Sequence, residues 1–121
     1  VTTPTKSGAI SRGDVVLTKF PFTDLTGSAL RPALVVSHGQ IGQDVVIVAI
    51  SSVSRGSAFP SDYTIATVHP EFARTGLNVA SVVRTHRFVT VERSLIIRKL
   101  GHVGPQIQKE VDKRLRTVLS L

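Results

Sequence analysis

Two stretches constrain this chain more than any other. Residues 33–37 (ALVVS) and 44–51 (DVVIVAIS) are continuous runs of small and β-branched apolar side chains. A strand with one wet face alternates between apolar and polar residues. One that is apolar throughout is built to be covered on both faces. Between the runs, HGQIGQ (38–43) supplies two glycines and reads as a hairpin connection.

The rest of the chain reads around these strands. Residues 13–20 (GDVVLTKF), 62–68 (DYTIATV), 78–83 (NVASVV), 87–91 (RFVTV) and 95–103 (LIIRKLGHV) are further short strands, with turns at the Gly and Pro clusters between them. Helix is scarce until the end. There, PQIQKEVDKRLRTVLSL opens on Pro105, a favoured first-turn residue. Ile107, Val111, Leu115, Val118 and Leu119 form an apolar stripe, with Lys109, Lys113, Arg114 and Arg116 mostly off it. A single helical turn is expected within residues 69–76, closed by Gly76. Short strands followed by one closing helix predict a mainly β (α+β) fold, a strongly bent antiparallel sheet or barrel. The 121 residues fit one domain, large enough to bury a core without disulfides or metal. We assign residues 12–121 to it and expect residues 1–11 to be a flexible tail.

Charge narrows the partners. Lys and Arg total 15 against 8 Asp and Glu, a net charge of +7. Such a balance favours polyanions, nucleic acid first. The absence of cysteine removes disulfide frameworks, thiolate zinc sites and thiol catalysis, and fits a reducing cytosol. No apolar run approaches the roughly 20 residues of a membrane helix, and no signal peptide is evident. A cytoplasmic protein with no membrane role is expected.

Most chemistries lack their residues. His38, His69, His86 and His102 are far apart and never stand at ligand spacing, so no metal site is expected. There is no G-x-S-x-G turn, no phosphate-cradling G-x-x-x-x-G-K and no G-x-G-x-x-G, so no cofactor is expected. What remains is a basic chain with arginines, hydroxyls and a few imidazoles. That set suits phosphodiester chemistry in which the substrate brings its own nucleophile, as RNA does with its 2′-hydroxyl. The protein then has to orient the chain, stabilise phosphoryl charge and help move protons. Arg31, beside Pro32 at the start of an apolar strand, would be a preorganised guanidinium for that task. On residue type alone, an ion pair capping a sheet end is the plainer reading of Arg31.

The order of motifs goes further. RGDVVLTKFPFTDLTGSALRPALVVS (12–37) resembles the MazF and PemK toxin family, the ribonucleases of bacterial toxin–antitoxin pairs. VVIVAISS (45–52) is similar to the family's third strand, and GLNVASVVRTHRFVTVERSLIIRKLG (76–101) to its second half. The resemblance covers roughly residues 12–119. It implies an SH3-like barrel with a C-terminal helix, usually a homodimer. It also implies metal-independent, sequence-specific cleavage of single-stranded RNA, mRNA included, to 2′,3′-cyclic phosphate and 5′-hydroxyl ends, inhibiting translation and growth. A cognate antitoxin with a flexible acidic segment is the implied protein partner.

Two catalytic positions carry over, Arg31 and Ser51. The family usually has threonine at the latter. Serine keeps the hydroxyl but loses the methyl that restricts χ1, so a less rigid donor is expected, with Ser52 as substitute if the register differs by one. RNA contacts are expected from Lys19, Phe22, Thr23, Thr26, Ser52, Arg84, His86 and Arg87. His86 is also available to carry a proton. His86 and Arg87 read equally as solvated charges on a half-buried strand. Phe20 or Phe22 could stack on a base or pack in the core. Two other functions stay open: a non-catalytic RNA-binding barrel, and a gyrase-directed toxin of the same fold.

Overall fold

The computed structural model of the chain describes residues 8–19, 30–55 and 59–121. The loop carrying Phe20, Phe22, Thr23 and Thr26 lies outside the described residues, as does most of the expected tail.

Six strands form one antiparallel sheet: β1 (Asp14–Lys19), β2 (Leu30–Val35), β3 (Asp44–Ser52), β4 (Asp62–Ile65), β5 (Ser81–Glu92) and β6 (Ile96–His102). Their order is β4-β5-β3-β2-β1-β6. The short helix α1 (Phe72–Thr75) precedes β5, and α2 (Pro105–Leu119) closes the chain.

The two apolar runs are covered on both faces, as their composition requires. Ala33 and Val35 of β2, with Val45, Ile47 and Ala49 of β3, belong to one core cluster. Their neighbours Leu34, Val36, Val48 and Ile50 belong to a second, together with Ile107 and Val111 of α2. Burying a side chain of this size is worth about 1.5–3 kcal/mol, so the two-sided core is the dominant stabilising feature. Val91 of β5 and Ile96 of β6 share the first cluster although three strands separate β5 from β6 in the sheet. The sheet must therefore curl to bring them together. Among the described residues it is barrel-like but open, because β4 and β6 are each paired on one side only.

The structure extends some predicted strands and shortens others. β2 begins at Leu30, three residues earlier than its apolar run, because β1 offers partners as far as Lys19. Residues 78–83 and 87–91 are not two strands. Residues 81–83 and 87–91 belong to one strand, β5, running through the charged tract between them, and residues 78–80 lie in the loop ahead of it. The tract is accommodated by a bulge. Arg84 pairs with Ala49 and Phe88 with Val48, leaving Thr85, His86 and Arg87 unopposed. β4 stops at Ile65 and gives way to turns.

The helix behaves as its stripe predicts near its start, where Ile107 and Val111 are fully buried and Leu115 packs against them. Leu119, by contrast, is exposed. Its N-terminus has no side-chain cap of its own. Glu71, ahead of α1, serves instead: its carboxylate accepts hydrogen bonds from the backbone N–H groups of Gln106 and Ile107, both at 2.9 Å. A Cβ on Gly104 would collide with this carboxylate, which is why glycine stands there. Gly76 ends α1 with a positive φ of 74° and packs against the Leu100 carbonyl, where no side chain would fit. This contact seats the following loop beside β6.

Candidate nucleic-acid interface

A cleft of about 1180 Å³ opens where β2 and β3 part. The cause is local and begins with Pro32. Along a strand, successive backbone groups point to alternate neighbours. Val36 donates to Val46 of β3, and the Val35 carbonyl accepts from Gly13 on the β1 side. By the same alternation Pro32 faces β3, and Pro32 has no N–H to give. The β2–β3 ladder accordingly ends at Ala33 and Ala49. Beyond it, Leu30, Arg31 and Pro32 pair with β1, whereas Ile50, Ser51 and Ser52 pair with β5. Residues on both sides of the opening line the cleft.

Arg31 lies inside β2, opposite Thr18, half-buried and facing the cleft wall. No ion pair holds it among the described residues, so the sheet-capping reading finds no partner there. Ser51 and Ser52 line the same cleft from the end of β3, Arg84, His86 and Arg87 from β5. The bulge exposes His86 and Arg87, while Arg84, at its inner edge, is buried. Lys19 is exposed at the end of β1 and is not among the lining residues.

The two serines differ in their bonding. The Ser52 hydroxyl is 2.8 Å from that of Ser54. The Ser51 hydroxyl accepts from Arg84 Nε at 2.8 Å. Arg84 is in turn held by Asp62, directly opposite on β4, through an Nη1 to Oδ2 contact of 3.0 Å. The Phe59 backbone N–H also donates to Asp62 Oδ2, at 2.9 Å. The other carboxylate oxygen, Oδ1, is buried with no hydrogen-bond partner among the described residues. His86 Nδ1 stands 4.0 Å from it, beyond hydrogen-bond reach, and 3.2 Å from the Ser61 hydroxyl. The Phe59 ring meets the His86 ring edge-on, with centroids 5.0 Å apart.

Six residues at the site were not singled out in the sequence as functional. Arg98 of β6 lines the cleft, brought in by pairing of β6 with β1 next to Leu17. Leu77, Asn78 and Val79 arrive with the loop that Gly76 anchors. Asp62 carries no local motif; only the β4–β5 register reveals it, and Phe59 likewise enters through that contact. Together the described lining has four arginines (Arg31, Arg84, Arg87 and Arg98), one histidine and no carboxylate. A cleft so composed attracts an anionic chain, and its apolar residues offer surface for bases.

Comparisons with known proteins agree with this architecture. One solved structure, an endoribonuclease in complex with its cognate antitoxin from Mycobacterial species, is 23% identical, with a TM-score of 0.69, over 92% of this chain and 95% of that one. MazF from Deinococcus radiodurans is 21% identical, with a TM-score of 0.72, over 94% and 99%. The Mycobacterium tuberculosis toxin MazF-mt6 is 14% identical, with a TM-score of 0.67, over 89% and 97%. At these identities the likeness speaks to fold. No curated protein matches the chain in sequence. Residues 11–119 do match the sequence profile of a family described as the PemK-like, MazF-like toxins of type II toxin–antitoxin systems, and this chain belongs to that family.

Proposed function

We propose that the protein is the endoribonuclease of a toxin–antitoxin pair, cutting single-stranded RNA sequence-specifically in the cleft between β2 and β3. The observation that carries this reading is the convergence of Arg31 and Ser51, from separate strands, on one basic cleft. In the reaction the RNA 2′-oxygen forms a bond to the adjacent phosphorus and the bond to the 5′-oxygen breaks. The 2′-hydroxyl proton leaves and a proton reaches the departing 5′-oxygen. The products are a 2′,3′-cyclic phosphate and a 5′-hydroxyl, and no water or metal is consumed.

Arg31 stabilises the charge that grows on the phosphoryl oxygens. It stays cationic at any working pH and is for that reason a poor base. The Ser51 hydroxyl donates to one of those oxygens. His86, exposed at the bulge, is the imidazole within the cleft that can take up and release a proton. Arg87 and Arg98 hold neighbouring phosphates, an arrangement that makes affinity fall steeply with added salt. The same basic surface suits the acidic segment of an antitoxin. One of the similar solved structures is a MazE–MazF complex from Deinococcus radiodurans. A homodimer in the cytoplasm completes the reading; no described helix is long and apolar enough to cross a membrane.

The test is incubation with a long single-stranded RNA in excess chelator. Discrete cuts ending in cyclic phosphate are expected. Binding without cuts would favour a non-catalytic RNA-binding barrel. Neither cuts nor binding, with arrest of gyrase, would favour a gyrase-directed toxin.

A further inference from the structure

We infer that Asp62 and Arg84 form a positioning pair that aims the Ser51 hydroxyl into the cleft; the inference rests on the nuclease reading above. Arg84 donates through Nε to Ser51 Oγ at 2.8 Å and through Nη1 to Asp62 Oδ2 at 3.0 Å. A serine hydroxyl has one proton to give and two lone pairs to accept with. A guanidinium accepts nothing. With Arg84 on one lone pair, the serine proton cannot turn toward that donor and is left for an acceptor elsewhere. A phosphoryl oxygen in the cleft is such an acceptor. The cation on Oγ also polarises the O–H bond and strengthens its donation.

The pair is built for fixity. The Arg84 and Asp62 side chains are 8% and 4% exposed, and they face each other in the β4–β5 register. Asp62 is fastened a second time by the Phe59 backbone N–H. Ser51 stands two residues beyond Ala49, which is the β3 partner of Arg84. One row of side chains across three strands thus runs from Asp62 through Arg84 to the hydroxyl. This answers the expectation of a looser donor at position 51. Where threonine limits χ1 with its methyl, this chain limits the hydroxyl with a charged hydrogen bond. Arg84 is then a positioning residue, its charge balanced by Asp62, rather than a holder of RNA phosphate.

The experiment is a double-mutant cycle of Asp62→Asn with Ser51→Thr. It reads the single-turnover cleavage rate, and separately the affinity for an RNA whose 2′-hydroxyl is removed at the cut site. Asp62→Asn should slow the serine protein about tenfold with affinity unchanged. In the Ser51→Thr background the loss should shrink to about twofold, because the methyl then does part of the work; coupled neighbours deviate from additivity on this scale. Equal losses in both backgrounds, or a loss in affinity alone, would overturn the inference while leaving the nuclease reading intact. A wild type that makes no cuts would overturn both. Should Asp62→Asn fail to fold, hydrogen exchange at the Arg84 Nε–H decides. It should accelerate in Ser51→Ala, and an unchanged rate would refute the contact without any reference to activity.

Discussion

Two aspartates with buried side chains, each beside a histidine, lie toward opposite edges of the sheet, on β1 and β4. Asp14 is fully buried at the start of β1. Both of its oxygens are used: Oδ1 meets His102 at 2.8 Å and Lys99 at 3.1 Å, and Oδ2 accepts from the Ser11 backbone at 2.9 Å. The Asp62 side chain is nearly as buried, yet its Oδ1 has no hydrogen-bond partner among the described residues, and its Oδ2 holds Arg84 against the cleft. A buried carboxylate with every acceptor satisfied ties strands together. One that holds an arginine lining an open cleft also sets where that arginine stands. The comparison separates a joint from a working part, although the two sites share residue types.

Four experiments would break or sharpen it. The largest effect belongs to Arg31→Ala, on the working side. Cleavage should drop by the equivalent of about 3–4 kcal/mol, as for a lost oxyanion donor, while the melting temperature holds. Full activity in that variant would remove Arg31 from the site.

Ser51→Ala comes next, with a loss of about 1.5–3 kcal/mol in the rate, the range for a hydrogen bond to a charged group. Equal rates in Ser51→Ala and wild type would move the role to Ser52 or elsewhere.

Asp14→Ala tests the other side. It should lower stability in urea by about 1–3 kcal/mol and leave the cleavage rate of the folded fraction alone. A rate that falls together with stability would erase the distinction between the two aspartates.

The smallest effect is a pH dependence at Glu71. Burial pushes its carboxyl up, but the backbone donors of Gln106 and Ile107, helped by His69 and Arg74, outweigh burial and hold it below its ordinary value of 4.5. The unfolded chain therefore binds the proton more readily than the folded one. The carboxylate's contribution is complete above pH 4.5 and is lost as pH falls through the lower folded value. Glu71→Gln should flatten that acid limb of urea stability, by about 1 kcal/mol as for a helix cap. An unchanged limb would mean that another group governs it.

Much of this was legible in the order of residues. The two apolar runs announced strands covered on both faces, because period-2 geometry leaves no other way to hide every side chain. The stripe from Ile107 to Leu115 announced a packed helix, and Arg31-Pro32 and Ser51 were marked by motif. Pro32 even carried the reason for the cleft, since a residue with no N–H has nothing to donate to the strand it faces. Tertiary structure decided what no local pattern encodes. Register put Asp62 opposite Arg84 across 22 positions of sequence, and β6 pairing brought in Arg98. The bulge at Thr85–Arg87 turned a presumed break into one long strand. Local propensity fixes which residues are strands and which faces are apolar. Which strand ends meet, and therefore which charges share a cleft, depends on how the whole sheet curls to bury its core.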